Sequence, residues 1–360
     1  LVHHLRGAQR ERAVDDVGVA GDPADVGRAP VDVGLRVHVV HHVVGVGALH
    51  EVATGRVQDA LGLPGRAGGV EDEQRVLRLE ADGAEIPPPD SRRARTLLAW
   101  LALHPFLKHY RFLQDIAADV AQPKQCIPSP SMLHLICCVR EPNYQPIERY
   151  KDEQVLLDDL AAAYQKAVKA FYAAGCRYLQ LDDTSWGEFC SAEKRKAYAE
   201  RGIDVDEVGR KYVYVLNKVL EAKPEDMTIT MHICRGNFRS TWSSAGGYEP
   251  VAEILFGHCN VDGFFLEYDS DRAGGFEPLR YIGRQKVVLG LVTSKDAKLE
   301  KKEDVIARIR EASKYVPLEQ LALSPQCGFA STEEGNLVTD EDQWSKLTLV
   351  KEIAEEVWAD

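Results

Sequence analysis

Four residues of this chain could do metal chemistry together: His232, Cys234, Glu267 and Cys327. Residues 228–236, TITMHICRG, form a β-branched apolar run that delivers an imidazole and a thiol and then stops at Gly236. Side chains two apart in a strand project from the same face, so His232 and Cys234 stand together at one strand end. Residues 261–267 (VDGFFLE) close on a carboxylate, and residues 320–327 (QLALSPQC) close on a thiol followed by Gly328. One imidazole, two thiols and one carboxylate suit zinc, a borderline-soft ion that takes N, S and carboxylate O ligands in a tetrahedron. The sequence therefore predicts a Zn2+ site of these four ligands.

An HxC pair alone is weak, because a buried His beside a buried Cys is usually just core. The other two strand ends shift the balance, since parallel α/β folds gather their chemistry at the C-terminal ends of strands. A further strand, residues 177–181, runs directly into Asp182, Asp183 and Glu188. Three acids within seven residues fit a solvated loop. Against that, Asp182 follows Leu179 and Leu181 at a strand tip, where a carboxylate is well placed to hold a substrate ammonium.

The wording around these residues is distinctive. MHICRGNFRSTWSSAGGYEPVAE, DGFFLEYDSDRAGGFEPLR, LSPQCGFASTEEGN and YLQLDDTSW resemble the short, single-barrel relatives of cobalamin-independent methionine synthase, within the uroporphyrinogen decarboxylase/methionine synthase-like superfamily. The resemblance runs from about residue 104 to the C-terminus, and the first hundred residues do not share it. It implies a (β/α)8 TIM-type barrel and a zinc-dependent methyltransferase. The methyl group would pass from 5-methyltetrahydrofolate, or its polyglutamate, to the thiol of homocysteine, giving methionine. Carried over, Asp182 binds the homocysteine amino group, Glu188 contacts the folate, and Glu267 is the labile, catalytic ligand. Ser129 and Ser131, in the Pro-punctuated stretch KQCIPSPSM, fall where the family lines its substrate cleft; a plain loop is the other reading. Trp186 either stacks on the pterin ring or packs in the core.

One departure matters. Full-length methionine synthases use a His after the seventh strand as proton donor, and at the aligned place this chain has Thr293 followed by Ser294. Neither hydroxyl is a useful acid at neutral pH. Two further readings therefore stay open: a zinc thiol alkyltransferase acting on another thiol such as coenzyme M, and a non-catalytic zinc-binding barrel. Asp182 favours an amino-acid acceptor. Decarboxylases of the uroporphyrinogen type share the fold, but HxC with a later Cys is not their pattern.

Composition bounds the alternatives. A formal charge of -12 and a pI near 5.5 argue against a nucleic-acid partner. No run of eighteen apolar residues offers a membrane span, and no secretion-signal pattern opens the chain. Eight Cys in 360 residues are too sparse for a disulfide scaffold and fit a reducing compartment, so a cytoplasmic enzyme is expected.

The elements that position the site follow from βα alternation. Strands are predicted near residues 127, 179, 231, 264, 289 and 323, and helices over 113–120, 149–174, 204–220, 250–256, 303–315 and 341–358. Near-continuous apolar strands alternating with helices mean a parallel sheet covered on both faces. Six strands are two short of a barrel, so the first two are missing or replaced, or lie in residues 1–95, where only a run such as 35–46 is strand-like. That front segment is unassigned. Residues 1–98 contain no Phe, Tyr, Trp, Lys, Cys, Met or Asn, a poor basis for a core. Its bias toward residues with GC-rich codons, and Leu1 in place of Met, read as a gene-model artefact or a disordered stretch; a divergent domain is the alternative. His38, His41, His42 and His50 read as incidental. The zinc barrel domain is placed at 96–360.

Overall fold

The computed structural model describes residues 35–40, 76–81, 84–86, 105–330 and 336–359, the first three segments as backbone. Two units result: one comprises residues 1–123, 134–155 and 169–175, the other 124–133, 156–168 and 176–360. The boundary drawn in sequence at residue 95 falls outside the described residues.

In the first unit, β1 (Leu35–Val40), β2 (Val76–Ala81) and β3 (Ala84–Ile86) form an antiparallel sheet. This corrects one expectation. The strand-like run at residue 35 does not begin the barrel: it pairs antiparallel with β2 from Leu35↔Ala81 to Val40↔Val76, in a sheet separate from the parallel one. Of the four front histidines, only His38 lies in a described segment.

The second unit holds six parallel strands in sequence order: β4 (Gln125–Pro128), β5 (Tyr178–Asp183), β6 (Thr228–Ile233), β7 (Gly263–Glu267), β8 (Lys286–Val292) and β9 (Leu321–Pro325). Among the described residues β4 and β9 do not pair, so the sheet has the sequence of a TIM barrel without its closure. Leu179, Leu181, Ile229, Met231, Ile233, Phe264, Leu266, Val287 and Leu289 are buried on one face. Strand alternation places Gln180, Asp182, Thr230, His232, Phe265 and Glu267 on the other.

Helices cross between strands where capping residues and apolar stripes predict them. α1 (Pro105–Ala117) starts earlier than its predicted 113–120. α2 (Pro130–His134) is short, and α3 (Glu153–Ala173) is opened by Asp152, whose carboxylate accepts from the Gln154 N–H at 3.0 Å. α3 buries Leu156, Leu157, Leu160, Tyr164 and Val168, the stripe expected from a 3.6-residue period. Besides α2, two helices were not foreseen, α4 (Ser185–Cys190) and α5 (Ala192–Glu200). α6 (Val205–Leu220), α7 (Glu249–Leu255), α8 (Lys302–Ala312) and α9 (Asp340–Val357) match their predicted ranges within a few residues.

Candidate metal centre

The C-terminal ends of β6, β7 and β9 bring His232, Cys234, Glu267 and Cys327 together, with one ligand atom from each within 4.8 Å of all the others. The register explains the convergence: His232 stands beside Phe265 on β7, and Glu267 beside Gly290 on β8. Cys234 follows the last residue of β6, and its N–H donates to the Asp183 carbonyl at 2.7 Å. The close approach of β6 to α4 requires glycine at 187, where a Cβ would lie 2.3 Å from the Cys234 carbonyl oxygen. Gly236, at φ 97°, turns the chain away, and its N–H points to Cys234 Sγ at 3.3 Å.

The residues fit a zinc ion on three observations. His232 Nδ1 lies 3.2 Å from the Phe265 carbonyl, while Nε2 is buried without a hydrogen-bond partner, the pattern of an imidazole oriented from behind to ligate through Nε2. The Cys234 and Cys327 sulfurs are 4.0 Å apart, too far for a disulfide and close to the ~3.8 Å edge of a zinc tetrahedron with two thiolates. Glu267 is fully buried, and each of its carboxylate oxygens has a donor: the Arg235 N–H at 2.8 Å on Oε1 and Arg272 Nη2 at 3.0 Å on Oε2.

Protonation follows from this crowding. The Cys327 thiol is held well below its usual range, first by a hydrogen bond from Cys234 and then by His232, against the opposing effect of burial. Cys234 is pushed well above its usual range by the same bond and by burial. For His232, burial opposes the charge, but Cys327, Asp182 and Glu267 outweigh it and raise the imidazole to about 9. Without metal the cluster thus holds its protons more firmly on His232 and Cys234 than on Cys327.

Asp182 is half-buried at the tip of β5, in register with His232. Its Oδ1 accepts from Gln180 Nε2 at 2.7 Å, and the Gln180 Oε1 accepts from Lys124 Nζ at 3.0 Å. Burial raises the carboxyl, and His232 and Gln180 act against that rise. Sequence reasoning passed over Gln180 and Lys124; strand alternation from Asp182 was the available signal for Gln180.

Other predicted residues are engaged elsewhere. Trp186 is fully buried and meets Phe189 and Tyr212 edge-on at 5.9 and 6.3 Å, so it packs in the core and does not present a stacking face. Glu188 is 3 % exposed; its Oε2 accepts from the Tyr198 hydroxyl at 2.6 Å and its Oε1 from Lys194 at 3.1 Å. Ser129 and Ser131 are buried, and both hydroxyls donate to Asp183 Oδ2. Asp183 also receives the Ser185 N–H at 2.6 Å and the Trp186 N–H at 3.3 Å on Oδ1, tying the β4 end to the first turn of α4. The hydroxyls of both serines are thus taken up by Asp183. Ser294 is buried and donates to Gln326 Oε1 at 2.8 Å, and the Thr293 N–H donates to Glu300 at 2.8 Å.

Among the described residues no helix is long and apolar enough to cross a membrane. A Bacillus subtilis protein of no assigned function, YxjG, is 52 % identical over 257 residues, 71 % of this chain and 66 % of its own length. A structure of a putative vitamin-B12-independent methionine synthase from Listeria monocytogenes is 45 % identical, with a TM-score of 0.58, over 72 % of this chain and 71 % of that one. A B12-independent methionine synthase from Shewanella sp. W3-18-1, at 22 % identity and a TM-score of 0.51, covers 70 % of this chain and shares its fold. Residues 144–355, which hold all four clustered ligands, match the family described as Cobalamin-independent synthase, Catalytic domain, and the chain belongs to that family.

Proposed function

We propose that this protein is a zinc-dependent methyltransferase that moves the methyl group of 5-methyltetrahydrofolate, or its polyglutamate, to the thiol of homocysteine, giving methionine. The observation that carries this reading is the adjacency of two features: a four-ligand His/Cys/Glu/Cys cluster, and beside His232 on the next strand the carboxylate of Asp182. His232, Cys234, Glu267 and Cys327 would hold the zinc. Bound there, the ion would supply the electrostatic stabilisation that keeps an acceptor thiol deprotonated at neutral pH.

The rest is the work of the chain's own side chains. The Phe265 carbonyl orients His232, and Gln180, itself held by Lys124, orients Asp182. Asp182 binds the amino group of the acceptor, fixing its sulfur at the cluster. Alignment matters here because a methyl group on a tertiary amine nitrogen is a poor electrophile and needs a well-placed nucleophile. The sulfur–carbon bond forms as the carbon–nitrogen bond breaks, and the leaving nitrogen takes up a proton.

One observation favours a second reading, in which the donor or the acceptor thiol differs. Thr293, at the family's proton-donor position, offers only a hydroxyl, and the hydroxyl of the next residue, Ser294, is taken up by Gln326. The test is an assay of the zinc-loaded full chain with 5-methyltetrahydrofolate and either homocysteine or coenzyme M, read by mass spectrometry. Methionine formation supports the first reading. Alkylation of the other thiol alone supports the second, and no product from a protein that retains its zinc excludes 5-methyltetrahydrofolate as the donor to either thiol.

A further inference from the structure

The ligand Glu267 is embedded in a charged assembly that the methyl-transfer reading does not use. Arg272, in the short turn Asp271–Ala273 after β7, is 8 % exposed. Its Nη2 donates to Glu267 Oε2 at 3.0 Å and to Asp269 Oδ1 at 2.7 Å, and its Nη1 donates to Ser270 Oγ at 2.7 Å. Both acids are buried, so one guanidinium serves two carboxylates that have almost no access to water. The remaining face of Arg272 lies over the indole of Trp242, 4.9 Å from the ring centroid. Trp242 belongs to the loop after β6 and is 53 % exposed. A side chain at the surface is thus one residue removed from a metal ligand.

We propose that Arg272, covered by Trp242, is the positioning residue that keeps Glu267 a weak, one-oxygen ligand; this rests on the zinc reading above. The argument is one of competition. A carboxylate whose Oε1 accepts a backbone N–H and whose Oε2 accepts a guanidinium has less electron density to give a cation than a free one. Arg272 also neutralises charge that would otherwise draw the ion in, because Glu267 and Asp269 together carry two negative charges. Holding Glu267 back leaves three strong ligands and one that gives way, the arrangement a catalytic zinc site needs. Trp242 preserves the effect by keeping water off the guanidinium and strengthening its hold on both acids.

The test is cobalt substitution of the full chain, with visible absorption and metal affinity as readouts and Arg272→Gln as the main variant. The wild type should show the sulfur-to-cobalt charge-transfer band and the intense ligand-field bands of a four-coordinate site. Arg272→Gln releases Oε2 and leaves the two acids without their cation. Its ligand-field bands should weaken as coordination rises, and its affinity should tighten, by on the order of tenfold if Arg272 acts at the usual strength of outer residues on a metal site. Should Arg272→Gln not fold, Trp242→Ala decides, since it leaves both ion pairs in place and alters only their cover; a smaller shift in the same direction is expected. Spectra and affinity unchanged in the folded variants overturn the proposal while leaving the metal site intact. A wild type without the charge-transfer band overturns the metal reading, and this proposal with it.

Discussion

The sulfurs of Cys234 and Cys327 lie 4.0 Å apart although 93 residues separate them in the chain. A buried thiol and a half-buried one at that spacing, with a histidine nitrogen and a carboxylate beside them, are costly to assemble without a cation to bind. Cys234→Ser and Cys327→Ser should therefore each lower zinc content sharply, because a neutral hydroxyl is a much poorer ligand than a thiolate. Metal analysis of the purified variants checks this, and full zinc content in both would remove the two cysteines from the site.

Zinc affinity should fall as pH falls. Metal binding needs deprotonated ligands, and in the metal-free cluster His232 is raised to about 9 and Cys234 well above its usual range, while Cys327 is held well below its own. Protons at those two positions compete with the ion, so log Kd should change by about two per pH unit between roughly pH 6 and 8. A competition titration with a chromophoric chelator reads the slope. A slope of three across the whole of that range would show that Cys327 protonates as an ordinary thiol does.

Asp182→Asn should leave zinc in place and weaken the use of homocysteine. If the ammonium contact is desolvated, the loss in kcat/KM should correspond to on the order of 2 to 5 kcal/mol. Steady-state kinetics with homocysteine varied decide it, and wild-type values would make Asp182 a structural acid.

Asp183 should matter for stability and not for the substrate. It gathers the hydroxyls of Ser129, Ser131 and Ser185 and two backbone N–H groups in a buried setting. Asp183→Asn turns an amide donor toward those donors and should cost about 2 to 4 kcal/mol of folding free energy. Urea unfolding measures this; an unchanged midpoint would mean that the serine cluster contributes nothing.

The parallel strands and the four clustered residues were legible in the sequence for a common reason. A strand such as GFFLE is apolar on both faces and ends in a functional residue, so the run marks the element and its last polar residue marks the site. Partnerships across strands were not legible. Nothing in YLQLDDTSW says that Asp182 and Asp183 point to opposite sides with opposite duties, until alternation is combined with the register that sets Asp182 beside His232. The two readings of Trp186 are not separable in sequence, because its burial depends on Phe189 and Tyr212, on α4 and α6. The α5 segment AEKRKAYAE has little apolar periodicity, since only Tyr198 is buried, and gave no helical signal. Arg272 could be read as a charge after a strand, but not as the partner of Glu267, because that pairing depends on how the turn after β7 folds back.

X-ray absorption at the zinc edge of the purified full chain tests the central claim most directly, because it counts the atoms around the ion. The His232, Cys234, Glu267 and Cys327 site predicts one zinc per chain with two sulfur neighbours at about 2.3 Å and two nitrogen or oxygen neighbours at about 2.0 to 2.2 Å. A shell of oxygen and nitrogen alone, or one of four sulfurs, would contradict it.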